Sequence, residues 1–158
     1  MMIQRYRDHG LLSFDFFSLI YVQCPQCHRS ASVKPRTEAQ ARLFDPRRLF
    51  CPSCGYTKDW NGSQVGGGSA SAPTDLYFHL PLWLQISCCN KILWAYNRDH
   101  LDFLEDYVQA TLREGLPEQA TAVFKNKTAA SRLPKWIKRA KNRQKILKKI
   151  AVLRSTLT

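Results

Sequence analysis

The chain has 158 residues, of which 24 are lysine or arginine and 12 are aspartate or glutamate, giving a formal net charge of +12. This length suits one domain or two small ones, and no apolar run approaches the roughly 20 residues that cross a bilayer. The composition therefore argues against a membrane-spanning protein and a membrane partner. The charge is unevenly distributed, because residues 119–158 contain 12 basic side chains and no acidic one.

Four of the six cysteines form two pairs with the same local sequence. The pairs, Cys24-Pro-Gln-Cys27 and Cys51-Pro-Ser-Cys54, are separated by 23 residues. Each C-x-x-C turn places two sulfur atoms on one side of a tight loop, where they can occupy two corners of a tetrahedron. The sequence therefore predicts a structural Zn²⁺ site whose ligands are Cys24, Cys27, Cys51 and Cys54.

Alternatives to this site are buried thiols, two disulfides, or replacement of one sulfur by His28. A full set of four thiolates leaves no position for water or substrate, so we expect a structural metal and not a catalytic one. Thiolate ligands also favour a reducing, cytoplasmic location. Asp15 interrupts the apolar run Leu11–Val22 and no small-residue cleavage site follows, which argues against a signal peptide.

Short segments that enter and leave the two cysteine pairs are predicted as strands, the first of them because it is apolar and rich in aromatic and β-branched residues. They are Phe14–Gln23, Ser30–Lys34, Arg47–Phe50 and Tyr56–Trp60, with a helical or irregular insert over Thr37–Phe44. Two hairpins that share one metal would form a zinc ribbon within residues 1–62. Because so small a unit buries little apolar surface, metal binding would supply much of its folding free energy, on the order of 10 kcal/mol. Residues 63–74 are rich in Gly and Ser and predict a flexible linker or exposed loop.

Residues 75–158 predict a second module that begins with strands. Apolar and polar side chains alternate over Leu76–Leu80 and again over Leu82–Cys88, with a break at Pro81. Ile92–Tyr96 is predicted to return as the second strand of a hairpin. The predicted fold class is therefore α+β, with an N-terminal four-cysteine zinc ribbon joined to a β-hairpin plus helices module that ends in a basic C-terminal helix.

The helices of this module follow from apolar residues at helical spacing. Asn97 is expected to cap a helix with Arg113 near its C-terminal end, and its apolar stripe is Leu101, Leu104, Val108 and Leu112. A weaker helical signal covers Glu118–Phe124, and another helix is expected after Pro134. In that last helix the predicted seam is Trp136, Ile137, Ala140, Gln144, Leu147 and Ala151, with Ile146, Ile150 and Leu153 beside it. The pattern leaves open whether it is one helix or two broken near Asn142.

Four stretches together resemble a family of small bacterial proteins. They are the two C-P-x-C pairs, Leu82–Gln85, Ile92–Leu101 and Leu133–Arg143. In this combination the chain is similar to zinc-ribbon proteins of the transcription-factor-IIB type over roughly Cys24 to Leu153. The resemblance implies a bacterial cytoplasmic protein with a zinc ribbon and a conjoined α/β module. It implies no catalytic residue.

The basic C-terminal segment is the main indication of a partner. Its lysines and arginines flank an apolar seam without any acidic neighbour, and phosphate contacts from such side chains give sequence-independent affinity for nucleic acid. The predicted nucleic-acid-binding residues are Lys135, Lys138, Arg139, Lys141, Arg143, Lys145, Lys148 and Lys149. The sequence does not distinguish DNA from RNA, and a solvated basic face is the simpler interpretation.

Two other functions are alternatives to nucleic-acid binding. A protein-interaction adaptor could dock through the ribbon or through the aromatic hairpin that carries Trp83 and Trp94. An enzyme could use His100 with neighbouring acidic residues, but His100 and Asp102 are two positions apart and so point to different faces of a helix. We therefore predict a non-enzymatic, zinc-stabilised nucleic-acid-binding protein, with the adaptor as the alternative.

Overall fold

The computed structural model describes residues 4–37, 42–62, 73–115 and 127–157. In chain order the strands are β1 (Arg5–Arg7), β2 (Ile20–Gln23), β3 (Ser30–Pro35), β4 (Arg47–Phe50), β5 (Thr57–Trp60), β6 (Leu84–Cys88), β7 (Lys91–Ala95) and β8 (Leu112–Glu114). The helices are α1 (Arg98–Gln109), α2 (Lys135–Lys138) and α3 (Arg143–Ser155), with 3₁₀ turns at Ser13–Phe16 and Ala140–Asn142. The predicted α+β class is confirmed. The predicted linker from residue 63 to 72, the helical stretch Glu118–Phe124 and positions 38–41 of the insert lie outside the described residues.

The chain divides into two compact units. The first, here called the cysteine unit, comprises Phe16–Gln85 and Trp94–Asn97. The second, here called the basic unit, comprises Met1–Asp15, Ile86–Leu93 and Arg98–Thr158. The domain boundaries drawn from the sequence, 1–62, 63–74 and 75–158, stay a prediction.

The cysteine unit is built on an antiparallel sheet in the order β2-β3-β4-β5. Alternate side chains of its strands are buried, so that Val22 lies opposite Ala31 and Val33 lies opposite Leu49. This period of two explains why the short apolar segments beside the cysteines form strands. The first strand is shorter than predicted, because Ser13–Phe16 forms a 3₁₀ turn and β2 begins only at Ile20.

A buried arginine lies at the start of β4, an inner strand of this sheet. Arg47 is fully buried, and its guanidinium donates from Nη1 to the Phe17 carbonyl at 2.6 Å and from Nη2 to the Arg42 carbonyl at 3.0 Å. The same group lies 4.6 Å from the ring centroid of Tyr77. Burial lowers the pKa of Arg47, while the carbonyl oxygens and the aromatic ring offset the loss of water around its charge.

The strand predicted over Leu76–Leu80 is wrong. These residues form a turn organised by Asp75, whose carboxylate is buried and accepts three backbone hydrogen bonds. Its Oδ2 accepts from the amides of Tyr77 at 2.9 Å and Phe78 at 2.7 Å, and its Oδ1 accepts from the amide of Leu80 at 2.7 Å. An aspartate that bonds to following backbone amides stabilises a turn in place of a sheet ladder, which overrides the alternating pattern.

The core of the basic unit lies between α1 and α3, which pack against each other. Leu101, Leu104 and Val108 of α1 are buried, as predicted. On α3 the buried side chains are Ile146, Ile150 and Leu153, whereas the predicted seam residues Leu147 and Ala151 are half-buried and exposed. The open question about the last helix is also answered, because Arg139 has an extended ψ of 129° and separates α2 from the 3₁₀ turn that precedes α3. Because of that interruption, α3 buries different positions from those of the predicted seam.

A parallel pair of short strands completes the basic unit. β1 pairs with β8, with Arg5 opposite Leu112 and Arg7 opposite Glu114. Leu112 was expected in the stripe of the first helix, but that helix ends at Gln109. β6 and β7 pair with each other, and the tip of their hairpin, Ile86–Leu93, belongs to the basic unit.

Candidate metal centre and basic surface

The first cysteine pair lies in a tight loop after β2. The backbone amide of Cys24 donates to the Arg29 carbonyl at 2.8 Å, and the amide of His28 donates back to the Cys24 carbonyl at 2.9 Å. His28 closes the loop with a left-handed φ of 62°. The amide of Gln26 also approaches the Cys24 sulfur at 3.4 Å, as expected for a turn that presents its amides to a thiolate.

The second pair, after β4, repeats this loop. The amide of Cys51 donates to the Tyr56 carbonyl at 2.9 Å, and the amide of Gly55 donates to the Cys51 carbonyl at 2.8 Å. Gly55 has a φ of 79°, which only glycine adopts without steric cost. Since the two loops follow the same pattern of hydrogen bonds, each directs two thiols toward the other.

These loops bring the four predicted ligands together. The Sγ atoms of Cys24, Cys27, Cys51 and Cys54 all lie within 4.8 Å of one another, with Cys24 to Cys54 at 3.6 Å and Cys27 to Cys51 at 3.5 Å. A tetrahedron with zinc–sulfur bonds of about 2.3 Å has sulfur–sulfur edges of about 3.8 Å. All six cysteines of the chain are free thiols, and His28 is not part of the cluster. The arrangement therefore has the geometry to hold a metal ion.

Protonation of the cluster is strongly coupled. Burial opposes ionisation of Cys51, but hydrogen bonds from the backbone of Cys54 and from the Cys27 thiol lower its pKa to about 7. A backbone hydrogen bond at Arg29 favours ionisation of Cys27, yet burial and the other three thiols outweigh it and raise the pKa of Cys27 to about 12. Four negative sulfurs at these distances repel one another unless a cation neutralises them. The donor set thus fits a divalent, thiophilic metal.

Two of the predicted nucleic-acid-binding residues are engaged within the basic unit. Arg143 donates from Nε to the Val108 carbonyl at 2.9 Å and from Nη2 to the Ala110 carbonyl at 3.4 Å, at the C-terminal end of α1. Lys138 donates from Nζ to the Ser131 carbonyl at 3.1 Å. A cation at a helix C-terminus satisfies carbonyls that have no partner in the helix and stabilises the helix dipole.

The other predicted residues reach solvent. Lys135, Arg139 and Lys141 are exposed on α2 and the turn that follows it. Lys145 and Lys148 are exposed on α3, and Lys149 is half-buried beside them. Within the described ranges none of these six side chains forms an ion pair or a hydrogen bond that would neutralise its charge. Two acidic residues of the adjoining helix are already engaged, because Asp102 and Glu105 bind Arg154 at 2.6 and 3.2 Å.

One basic residue outside the C-terminal segment joins this surface. Lys91, at the start of β7, lines the same cleft as Lys145, Lys148 and Lys149. From the sequence, Lys91 falls between the predicted hairpin strands Leu82–Cys88 and Ile92–Tyr96, and it is assigned no role there. The predicted hairpin is the one indication of its position, because a hairpin turn fixes the side on which its flanking residues lie.

His100 is a buried residue of α1. Burial lowers its pKa to about 3, and its ring lies 6.0 Å from that of Phe103. Its acidic neighbours along the helix, Asp102 and Glu105, are held by Arg154. This arrangement contributes to packing within the basic unit, and it does not present the imidazole to a ligand.

Among the helices in the described part of the chain, none has the length and apolar character needed to cross a membrane. No protein-family model, curated protein or solved structure was found to match the chain. Function must therefore be inferred from the cysteine cluster and the basic surface themselves.

Proposed function

We propose that the chain is a non-enzymatic, zinc-stabilised nucleic-acid-binding protein. The observation that carries the proposal is the set of exposed lysines on α3, which have no acidic partner among the described residues. The metal acts as a structural element, and the lysine-bearing helix supplies the contacts to phosphate. The resemblance to zinc-ribbon proteins of the transcription-factor-IIB type, and a bacterial cytoplasmic origin, belong to the same proposal.

Zinc is the metal that best suits the four thiols. Soft sulfur ligands in a tetrahedral arrangement favour Zn²⁺ over Mg²⁺ or Ca²⁺, which take oxygen ligands. Two of the ligands, Cys24 and Cys51, are buried directly after β2 and β4, which flank β3 in the sheet, so the metal would join the β2–β3 hairpin to the β4–β5 hairpin. Four sulfur ligands saturate the ion, which supports a ribbon stabilised by metal and a site without catalytic chemistry.

The lysines of α3 are better explained by an anionic partner than by solubility alone. Lys145 lies three and four positions from Lys148 and Lys149, so all three occupy one face of the helix. Like charges at these spacings destabilise a helix by roughly 0.2–0.5 kcal/mol per pair. A phosphate backbone would remove this repulsion and release its own counterions, which is the main source of sequence-independent affinity.

A binding titration tests the proposal. We expect labelled duplex DNA and RNA of one sequence to bind at about 50 mM salt, with affinity that falls steeply as salt increases. The double variant Lys145→Glu with Lys148→Glu should abolish binding, whereas Lys34→Glu with Lys58→Glu, which makes the same charge change on exposed residues of the cysteine unit, should retain most of it. Native mass spectrometry should show one Zn²⁺ per chain. Absence of binding at low salt would refute the nucleic-acid function, and absence of zinc would refute the metal assignment.

A protein-interaction adaptor is the second candidate, and exposed aromatic rings favour it. In the cysteine unit Phe44 is 62% exposed and Phe50 is 45% exposed. Such rings are common at protein interfaces, where they are buried on binding. If this function is correct, a partner captured from lysate should survive nuclease treatment and be lost with Phe44→Ser and Phe50→Ser. A partner that disappears with nuclease would instead be tethered through nucleic acid.

A further inference from the structure

The basic unit contains a cleft of about 700 Å³ with positive side chains on two walls. The tip of the β6–β7 hairpin forms one wall and α3 forms the other. The lining residues are Ser87, Cys88, Cys89, Asn90, Lys91 and Ile92 from the hairpin, with Lys145, Lys148 and Lys149 from the helix. None of the described lining residues is acidic, so four lysine charges converge without a carboxylate from the described part of the chain between them.

The hairpin wall is fixed by a tight turn. Cys89 and Asn90 have φ values of 55° and 63°, which is the arrangement of a two-residue type I′ turn between β6 and β7. Asparagine tolerates this conformation better than most residues. The turn holds the backbone of Lys91 at the cleft, so its side chain does not depend on a mobile loop for its position.

The helix wall is set by the periodicity of α3. Lys145, Lys148 and Lys149 share one face because three and four residues correspond to about one turn. A neighbouring face of the same helix carries Ile146, Ile150 and Leu153 into the core, which prevents the helix from rotating its lysines away. Phosphate oxygens in the cleft would therefore meet charges that are already oriented.

The Cys88 thiol in the lining of the cleft adds no negative charge. Burial raises the pKa of Cys88 to about 11, and the Cys89 thiol, 3.5 Å away, acts in the same direction. Cys88 is therefore neutral at pH 7. Cys89 is only half-buried and lines the cleft, so it offers a chemical probe at this position.

We propose that this cleft is the phosphate clamp of the protein, in which Lys91 on one wall and Lys145, Lys148 and Lys149 on the other bind consecutive phosphates of a nucleic-acid backbone. The inference rests on the proposed nucleic-acid function and assigns it a place. Because the lining residues include no aromatic ring for stacking, the clamp contacts the backbone and is insensitive to base sequence.

Charge reversal at Lys91 tests the clamp against binding by overall charge. We expect Lys91→Glu to lower the affinity about tenfold at low salt and to reduce the slope of log affinity against log salt by about 1. Lys58→Glu is the matched control, because it makes the same charge change at an exposed residue of the cysteine unit that does not line the cleft. Circular dichroism establishes that both variants fold, and Lys91→Gln provides a milder change if Lys91→Glu does not. Equal effects of the Lys91 and Lys58 variants would overturn the inference.

Alkylation of Cys89 supplies an independent test in the unaltered zinc-bound protein. Bound nucleic acid should slow the reaction of Cys89 with N-ethylmaleimide, read by peptide mapping, at concentrations that saturate binding. If nucleic acid binds but does not slow the alkylation of Cys89, and Lys91→Glu does not lower the affinity, the clamp is wrong while the proposed function stands. If the wild-type protein binds no nucleic acid at low salt, the clamp and the proposed function are both wrong. Protection by inorganic polyphosphate but not by nucleic acid would assign the cleft to another phosphate ligand and overturn the inference.

Discussion

In the cysteine unit, Arg47 and Arg48 have side-chain partners inside the unit, whereas the basic unit presents lysines without partners among the described residues. Arg47 is buried against carbonyl oxygens and the Tyr77 ring, and Arg48 binds both carboxylate oxygens of Asp59 at 2.7 and 3.2 Å. On α3, by contrast, Lys145 and Lys148 extend into solvent beside a cleft. The difference separates positive charges that stabilise the fold from charges that are available to a ligand.

A similar separation exists within the basic unit, and it follows residue type only in part, because Lys138 is engaged and Arg139 is exposed. Arg113 donates to the Tyr107 and Lys138 carbonyls at 3.0 and 2.6 Å and lies 4.3 Å from the Tyr107 ring centroid. A planar guanidinium can bind several fixed acceptors at once, whereas an ammonium is a strongly hydrated point charge on a flexible stem. The net charge of the C-terminal segment therefore overstates its ligand-binding surface, because part of it holds helix ends.

Metal removal should give the largest loss of stability, and it should destabilise the cysteine unit but not the basic unit. Under the proposed zinc-stabilised function, chelation or Cys51→Ala should remove binding free energy on the order of 10 kcal/mol from the small sheet. We expect amides of Val22, Val33 and Leu49 to lose protection from hydrogen exchange, because these residues belong to the strands that carry the ligands. Amides of α1 and α3 should keep theirs.

Cys89→Ala is the matched control for the cysteine variant, since it removes a thiol that is not in the cluster. It should bind zinc normally and leave the exchange pattern of the sheet unchanged. Equal loss of protection in both units after chelation would show that the metal stabilises the whole chain, and the contrast between the units would fail.

Arginine substitution in the basic unit should give the next largest effect. Arg143→Ala removes charge-assisted hydrogen bonds to the Val108 and Ala110 carbonyls, and we expect a loss of about 2 kcal/mol in the free energy of unfolding. Arg139→Ala, at an exposed position in the same segment, should change it by less than about 0.5 kcal/mol. Denaturant titration of the zinc-bound protein measures both. Similar values for the two variants would contradict a structural role for Arg143.

The buried histidine of the basic unit predicts a smaller, pH-dependent effect. Because burial lowers the pKa of folded His100 to about 3, the unfolded chain binds more protons than the folded one between about pH 6.5 and 3, and stability falls as pH falls. From pH 6.5 to 5.5 this amounts to about 1 kcal/mol. Hydrogen exchange in α1 should show the loss, and His100→Gln should flatten it. His9→Gln, at an exposed position, should leave the pH dependence unchanged.

The cysteine loops were predictable because their determinants are local. Each C-x-x-C pair specifies its own turn, and the strands Ser30–Lys34 and Arg47–Phe50 follow from apolar residues beside it. The segment Leu76–Leu80 was mispredicted because a single side chain, Asp75, supplies three hydrogen bonds that a pattern of hydrophobicity does not register. Local interactions thus made the cysteine loops predictable, and a local interaction of Asp75 made the prediction for Leu76–Leu80 wrong.

The basic surface was only partly predictable because its assembly depends on long-range packing. The composition located the charge, and the helical spacing of α3 placed three lysines on one face. The break at Arg139 and the participation of Lys91, more than fifty residues earlier, depend on tertiary contacts. Nor could the sequence show that Arg143 binds carbonyl groups at the end of α1. An arginine suits that structural role and phosphate binding equally well.

The smallest expected effect distinguishes a ligand-binding lysine from a structural arginine most directly. Lys145→Gln removes like-charge pairs with Lys148 and Lys149, so the free protein should become more stable by about 0.2–0.5 kcal/mol at low salt. The gain should disappear at about 1 M salt, where the Debye length is about 3 Å. Lys58→Gln, on strand β5 opposite Leu49, is the control and should show no such salt-dependent gain. If Lys145→Gln instead destabilises the protein by more than about 1 kcal/mol, the lysine contributes to folding as Arg143 is expected to do, because removal of a like charge alone cannot cause that loss.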